Sequence, residues 1–320
     1  MARSTEVYLC YDLGGTKLRA AYVSGEGQIL SHLTRPVRQE EGFDGLIALF
    51  RQLWQELPAE GGIEKPKSVA VASAGPLHPE KGVLLDPTNF FTGSQSWGVL
   101  PLVEALQKVF ETPVILENDA AAAALAEMWK GGHGPAAQNL VTMTLGTGVG
   151  IGVIANGQLV RAGRGLHPEL SHMPLNAFDP NYPCGCGAYG CIEAFLAGTH
   201  FARRVSAIKS GTGVVRELTG HDVVALARSG DQDVCAAFEL YGEHLAFAIR
   251  ALAISFAPEV VTLSGGFSHA SDLFLGRTRE LLPELLARYR AGIDLLPEIR
   301  VSKLQDDAGV LGAAYLAATS

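Results

Sequence analysis

Two stretches of this chain can be laid on one another letter by letter, and that match limits its fold more than any other feature. Leu13-Gly-Gly-Thr-Lys-Leu-Arg-Ala-Ala-Tyr-Val-Ser24-Gly25 and Leu145-Gly-Thr-Gly-Val-Gly-Ile-Gly-Val-Ile-Ala-Asn156-Gly157 align without a gap. Leucine falls on leucine, the first turn glycine on glycine, and the closing glycine on glycine. Each copy comes after a short apolar run, Val7 to Asp12 in the first and Leu140 onward in the second. Each therefore reads as a strand, a Gly/Thr turn, a strand and a second turn. Any two glycine-rich hairpins share some letters, but the whole unit occurring twice suggests a duplicated core with two facing glycine hairpins.

The segments downstream of each copy narrow the fold. Gln28 to Leu33 adds a third strand to the first meander, and Phe43, Leu46, Ile47, Phe50, Leu53, Trp54 and Leu57 form one helical apolar stripe. Val69 to Ala72 reads as a buried strand, Leu102 to Phe110 as a helix, Val114 to Leu116 as a strand and Ala120 to Trp129 as an alanine-rich helix. In the second half, Val234 to Phe256 is a long helix ended by Pro258, before the strand Val260 to Leu263. Leu273 to Tyr289 and Ala308 to Ala318 are helical again. This alternation predicts an α/β chain with mixed sheets and crossover helices. A chain of 320 residues is long for one core, so two domains are expected. The boundaries are expected at 1–117 plus 306–320 for a smaller domain and 118–305 for a larger one holding the cysteine segment.

Composition then excludes several classes. The formal charge of -8 argues against a general nucleic-acid or anionic-membrane surface. No run approaches the roughly 18 apolar residues of a membrane span, and Met1 to Tyr11 lacks the apolar region of a signal peptide. A cytoplasmic chain is the expectation, and there metal-bound thiolates are favoured over disulfides.

Glu169-Leu-Ser-His172 and Cys184-Gly-Cys186-Gly-Ala-Tyr-Gly-Cys191-Ile-Glu193 set one histidine and three cysteines between two glutamates. That donor set suits a closed tetrahedral zinc site, which would fold the segment into a rigid clip and fix both carboxylates. A disulfide or free thiols are the alternative, although Cys184 and Cys186 are too close in sequence for an easy bridge. His172 is the preferred fourth ligand, with His167 near enough to compete. Cys10 and Cys235 read as small buried apolar residues. Two fixed carboxylates would suit a polyhydroxylated ligand.

Three glycine motifs suit phosphate or a nucleotide. Asp12-Leu-Gly14-Gly15-Thr16-Lys17 puts a carboxylate at a strand end and bare backbone after it, so that amides can approach a phosphate and Asp12 can serve Mg²⁺. Gly146-Thr147-Gly148 repeats the device, and Ser264-Gly265-Gly266, at another strand end, suits an adenosine moiety. Neither hairpin has the spacing of a Walker loop or a dinucleotide fingerprint. Glu117-Asn118-Asp119 ends a strand and opens a helix. Asp119 there can accept a proton from a hydroxyl that Asn118 orients, while either residue can equally serve as an N-cap.

Taken in this order, with Asp306-Asp307-Ala-Gly309 near the end, these motifs resemble the ROK family of sugar kinases and repressors over nearly the whole chain. The resemblance implies the two-domain, actin-like (ribonuclease H-like) ATPase fold with an interdomain cleft. It implies Asp119 as catalytic base, and Asn118, Glu169, His172 and Glu193 as hexose-binding residues. Cys184, Cys186 and Cys191 with His172 match the family's zinc ligands, and the glycine motifs with Asp12, Thr16 and Lys17 match its nucleotide site. The segment after Ala74-Gly75-Pro76, with Asn89 and Trp97, resembles the wall of its sugar pocket. One departure is Ser171, which stands where the family usually has glycine.

The implied activity is transfer of the γ-phosphoryl group of ATP to a hexose hydroxyl, most simply O6 of glucose, with Mg²⁺ and a structural Zn²⁺. N-Acetylmannosamine or N-acetylglucosamine is the runner-up substrate, and fructose, mannose and allose remain open. The family also suggests a homodimer. A non-catalytic sugar sensor is the rival, disfavoured because only eleven residues precede Asp12 and because Asp119 is present.

Overall fold

The computed structural model describes residues 6–58, 66–87, 90–176, 179–211, 217–287 and 294–320. Asn89, an expected sugar-pocket residue, lies outside them. In chain order the elements are β1 (Val7–Leu13), β2 (Lys17–Ser24), β3 (Ile29–Pro36), α1 (Gly42–Glu56), β4 (Val69–Ser73) and the short strands β5 (Leu77–His78), β6 (Val83–Leu85), β7 (Phe91–Thr92), β8 (Gln95–Ser96) and β9 (Val99–Leu100). Then come α2 (Leu102–Phe110), β10 (Val114–Asn118), α3 (Asp119–Lys130), β11 (Leu140–Leu145), β12 (Val149–Ala155) and β13 (Gln158–Leu159). The remainder comprises α4 (Ile192–Leu196), α5 (Gly198–Ser210), α6 (Gly220–Arg228), α7 (Gln232–Phe256), β14 (Val260–Ser264), α8 (Leu275–Ala287), β15 (Glu298–Val301) and α9 (Ala308–Thr319).

The duplication is visible in the sheets. One has the order β10-β4-β1-β2-β3 and the other β13-β12-β11-β14-β15, so reversing either list overlays β1 on β11 and β4 on β14. In both, an antiparallel hairpin (β1–β2, β11–β12) is flanked by a parallel neighbour (β4, β14). The central strands β4 and β14 are buried along their whole length, which is why Val-Ala-Val-Ala-Ser and Val-Val-Thr-Leu-Ser carry no polar alternation.

The gap-free overlay holds only up to the turns. Leu13 pairs with Leu18, whereas Leu145 pairs with Val149, so the second hairpin is one residue shorter. A one-residue change of register moves side chains to the opposite face. Accordingly Lys17 is exposed while the residue laid on it, Val149, is buried.

The chain forms two compact units, Met1–Gly132 with Leu159–Pro168 and Asp306–Ser320, and His133–Gln158 with Glu169–Gln305. The boundary expected between residues 117 and 118 therefore differs from the structure, since α3 belongs to the first unit. Two contacts explain this. α3 meets α9 so closely that a Cβ at Gly312 would lie 1.9 Å from the Ala122 carbonyl oxygen, which also accounts for the alanine-rich sequence of α3. Residues 159–168 join the same unit because Arg161 pairs with buried Glu117. Within the first unit Tyr11, Phe50, Trp54 and Phe110 form the aromatic centre of the core. In the second, Phe201, Phe238, Tyr241, Phe267 and Phe274 do the same.

Candidate active site

The first unit gathers charge at the carboxyl ends of its parallel strands, where ligands of open α/β sheets bind. Leu13, Ser73 and Asn118 end β1, β4 and β10 at one level of the sheet. Asp12 stands one residue before that level, opposite Arg19 on β2. The N-terminal turn of α9 covers Asp12 so closely that a Cβ at Gly309 would lie 2.4 Å from its carboxyl carbon, so the helix start can approach only without a side chain. Burial, then the charge of Asp119, push the Asp12 carboxyl up to about 7 against the pull of Arg19. Arg19 is fixed by a bond of 2.6 Å to the Asp306 carbonyl and by an ion pair with Asp307. In the turn itself, Gly14 N donates to Lys17 O at 3.0 Å, and the Gly15 and Thr16 carbonyls are taken by Gln39 and Val37. Among the described residues the Gly15 and Thr16 amides donate to nothing and are available to an anion. Lys17 and Thr16 are exposed beside them.

Asn118 is the N-cap of α3: its Oδ1 accepts from Ala120 N at 2.9 Å and from Ala121 N at 3.2 Å. Its Nδ2 makes no hydrogen bond among the described residues, so capping leaves a donor for a ligand. Asp119 Oδ1 accepts from Ala120 N at 2.8 Å, and burial raises its carboxyl despite that bond. The strand end is held from behind by Glu117, 1% exposed, which accepts from Asn118 N at 2.9 Å and pairs with Arg161. A buried carboxylate is tolerated there because both oxygens are engaged.

The cysteine segment lies in the second unit and folds as a small two-stranded loop. Tyr182 and Gly190 are joined through Gly190 N to Tyr182 O at 2.8 Å, and Cys184 N donates to Ala188 O at 2.9 Å. A bridge between Pro174 and Cys191 ties this loop to the turn Leu170–His172. The ligand atoms of His172, Cys184, Cys186 and Cys191 consequently lie within 4.8 Å of one another. Cys184 Sγ is 3.5 Å from His172 Nδ1, and Cys186 Sγ is 3.7 Å from Cys191 Sγ. Ligands about 2.3 Å (sulfur) and 2.1 Å (nitrogen) from a tetrahedral ion would be separated by about 3.8 Å and 3.6 Å, so the quartet fits such an ion. Burial pushes the Cys184 and Cys191 thiols up, so a cation is what would make them thiolates. His167 belongs to the first unit and is not part of this quartet. Ser171 is buried in the turn without a positive φ, so its side chain introduces no backbone strain.

Glu193, in the first turn of α4, has one carboxylate oxygen 3.5 Å from Cys184 Sγ and the other accepting from Val149 N at 3.2 Å. It therefore touches both the cysteine loop and the turn Gly146–Gly148. Gly146 N donates to Gly148 O at 3.0 Å, and the Thr147 and Gly148 amides remain available among the described residues. Gly265 comes directly after β14 with φ +82, and a Cβ there would lie 2.5 Å from Leu145 O, so this third glycine motif adjoins the base of the second hairpin. Glu169 is exposed just before the His172 turn. Gly75 lies just past β4, and Trp97 stacks on Phe90 at 5.2 Å.

Sequence reasoning missed Arg19, Arg161 and Arg204. Arg204 donates to the Ala194 and Phe195 carbonyls at 2.6 Å each and lies 4.9 Å over the Tyr182 ring, fastening α4 to the cysteine loop. No local pattern marks these arginines, because their partners lie from nine to 288 positions away in sequence.

Two five-stranded mixed sheets of the same order, each with a glycine hairpin, define the actin-like ATPase class of fold. Within that class the sequence model of the ROK family matches residues 8–320, and the chain belongs to this family. It is 33% identical to the glucokinase of Thermotoga maritima, over 95% of each chain. It is 29% identical to an N-acetyl-D-glucosamine kinase of Yersinia pseudotuberculosis, over 97% of this chain and 98% of that one. A ROK family glucokinase from Streptomyces griseus, solved in complex with glucose and AMPPNP, superposes with a TM-score of 0.78 at 26% identity, covering 98% of this chain and 100% of that one.

Proposed function

We propose that this protein is an ATP-dependent hexose kinase that converts glucose to glucose 6-phosphate. The observation that carries this reading is the placing of two acids at the carboxyl ends of one sheet's parallel strands beside the first glycine hairpin, Asp12 near the end of β1 and Asp119 directly after β10, with burial and the charge of Asp119 pushing the Asp12 carboxyl up. In this reading Asp119 accepts the proton of the attacking sugar hydroxyl, with Asn118 Nδ2 orienting that hydroxyl. Glu169, His172 and Glu193 recognise the sugar, with Gly75 lining the wall. The free amides of Gly15, Thr16, Thr147 and Gly148, with Lys17, receive phosphate oxygens, and Gly265 and Gly266 border the adenosine. Asp12 would hold Mg²⁺, which supplies charge neutralisation on the phosphates during phosphoryl transfer. His172, Cys184, Cys186 and Cys191 would hold a structural Zn²⁺ that keeps the recognition residues in register. Glucokinase relatives and a relative's complex with glucose and AMPPNP support the choice of substrates.

A second reading, an N-acetylhexosamine kinase, is favoured by the N-acetyl-D-glucosamine kinase relative. No helix among the described residues is long and apolar enough to cross a membrane; a cytoplasmic homodimer acting early in sugar breakdown fits the proposal. Comparing kcat/KM for glucose, N-acetylglucosamine, N-acetylmannosamine, mannose, fructose and allose tests the substrate choice. Glucose is expected to lead, and a lead of tenfold or more for an acetamido sugar would replace the first reading with the second.

A further inference from the structure

We infer that Glu193 is a positioning residue for the second glycine hairpin, through which sugar occupancy sets nucleotide affinity. This rests on the proposed roles of Glu193 as a sugar contact and of the hairpin as a phosphate contact.

The short stretch from Glu193 to Thr199 grips every part of the turn. Glu193 accepts from Val149 N at 3.2 Å, Gly198 N donates to Gly146 O at 2.8 Å, and Thr199 Oγ1 donates to Thr147 O at 2.6 Å. These bonds occupy the carbonyls on one side of the turn and leave the Thr147 and Gly148 amides for a ligand. The fit is tight where the two meet: a Cβ on Gly148 would lie 2.8 Å from the Glu193 oxygen that serves Val149. If Glu193 faced a sugar alone, the hairpin would have no need of a bare position there.

The stretch is also anchored to the cysteine loop. Cys191 is the N-cap residue of α4, and Arg204 binds the Ala194 and Phe195 carbonyls at its other end while covering Tyr182. Tyr182 in turn stacks on Phe195 with ring centres 3.9 Å apart. A shift of the loop therefore carries α4, and with it Glu193 and the hairpin.

The two carboxylate oxygens divide the work. One lies 3.5 Å from Cys184 Sγ on the side of the proposed sugar contact, and the other accepts from Val149 N–H. A sugar that fixes the first oxygen also fixes the second, and with it the direction of the hairpin amides. Such coupling is reciprocal, so nucleotide bound at the hairpin must raise sugar affinity by the same factor by which bound sugar raises nucleotide affinity.

The test uses the full-length, metal-loaded protein: glucose is expected to tighten AMPPNP binding in the wild type and to leave it unchanged in Glu193→Ala, and equal AMPPNP affinity with and without glucose in the wild type would overturn the coupling. Calorimetry with AMPPNP in the absence of sugar is expected to give about tenfold weaker binding for Glu193→Ala than for the wild type. Glu193→Gln, whose amide oxygen can still accept from Val149, is expected to recover most of that loss while remaining weak for glucose. Gly148→Ala, which displaces the carboxylate, is expected to weaken glucose binding about tenfold in the absence of nucleotide. Hydrogen exchange at the Val149 amide, measured without any ligand, is expected to speed up in Glu193→Ala. If Glu193→Ala loses glucose affinity while AMPPNP affinity and Val149 exchange stay at wild-type values, the coupling is wrong and the sugar-contact role stands. If nucleotide affinity and exchange change but glucose binds normally, the hairpin role stands and the sugar contact at Glu193 is wrong.

Discussion

The two glycine hairpins share a turn and differ in what stands behind it. Behind Gly14–Thr16 is charge: Asp12, Arg19 and Asp119, with Asp306 and Lys17 within electrostatic reach. Behind Gly146–Gly148 the residue preceding the shared leucine is Thr144, whose hydroxyl accepts from Gly150 N at 3.0 Å, and the neighbouring Thr142 and Thr262 pair their hydroxyls at 2.8 Å. The acid that reaches the second turn, Glu193, comes from a helix 44 positions away in sequence. Duplication thus supplies the same scaffold twice, whereas charged groups are concentrated at one copy and the acid that reaches the other comes from outside the repeat.

If that division holds, the largest effect belongs to the first hairpin. Asp119→Ala is expected to lower kcat by about 10²–10⁴-fold, the range for loss of a general base, with glucose affinity by calorimetry within a few-fold of wild type. Near-normal turnover would remove the distinction between the two hairpins at its main point. Stripping the metal from the cysteine quartet should act on the second region alone, weakening glucose binding by about 10- to 100-fold as the support of Glu193 loosens. Unchanged sugar affinity in protein verified as metal-free by elemental analysis would contradict that.

The smallest effect is in stability. The Asp12 carboxyl is raised from the usual carboxylate range to about 7, so the folded state holds the proton more tightly than the unfolded chain does. Its favourable contribution is complete below pH ~4 and is lost as pH rises through about 7, since the unfolded state then binds fewer protons. Asp12→Asn should therefore match the wild type at low pH and exceed it at pH ~8 by on the order of 2 kcal/mol, a value reduced for partial contact with water. Thr144→Val, at the corresponding place in the second hairpin, should show no such change between the two pH values. Urea unfolding in magnesium-free buffer measures both.

Most of the scaffold was legible because it rests on local patterns. The stripe from Phe43 to Leu57 became α1, Leu102 to Phe110 became α2 with the same ends, and the Gly/Thr turns fell between strands as read. The short strands β5 to β9, most of them two residues long, carry too little periodicity to be read. β15 is an edge strand with one buried residue in four, and α5 has a polar face broad enough to hide its buried Phe201, Ala202 and Val205. The one-residue difference between the hairpins was hidden for another reason: matching letters fix neither the partner of Leu13 nor that of Leu145. In the site, the cysteine spacing pointed to the quartet with His172 preferred as its fourth member, while the Pro174–Cys191 bridge that brings the His172 turn to the loop is something no spacing reveals. Of the two roles left open for Asn118 at the level of sequence, the cap is the one observed, its oxygen accepting from Ala120 N and Ala121 N.

The charge at the first hairpin is assigned one task above all, the transfer of a phosphoryl group from ATP to a hexose. Mixing the protein with ATP, Mg²⁺ and glucose, and quantifying ADP and glucose 6-phosphate together, tests that assignment without any substitution. The two products are expected in equal amounts, with ADP formation falling to background when sugar is omitted. ADP release that ignores sugar, or the absence of glucose 6-phosphate and of any other sugar phosphate across the hexose panel, would contradict it.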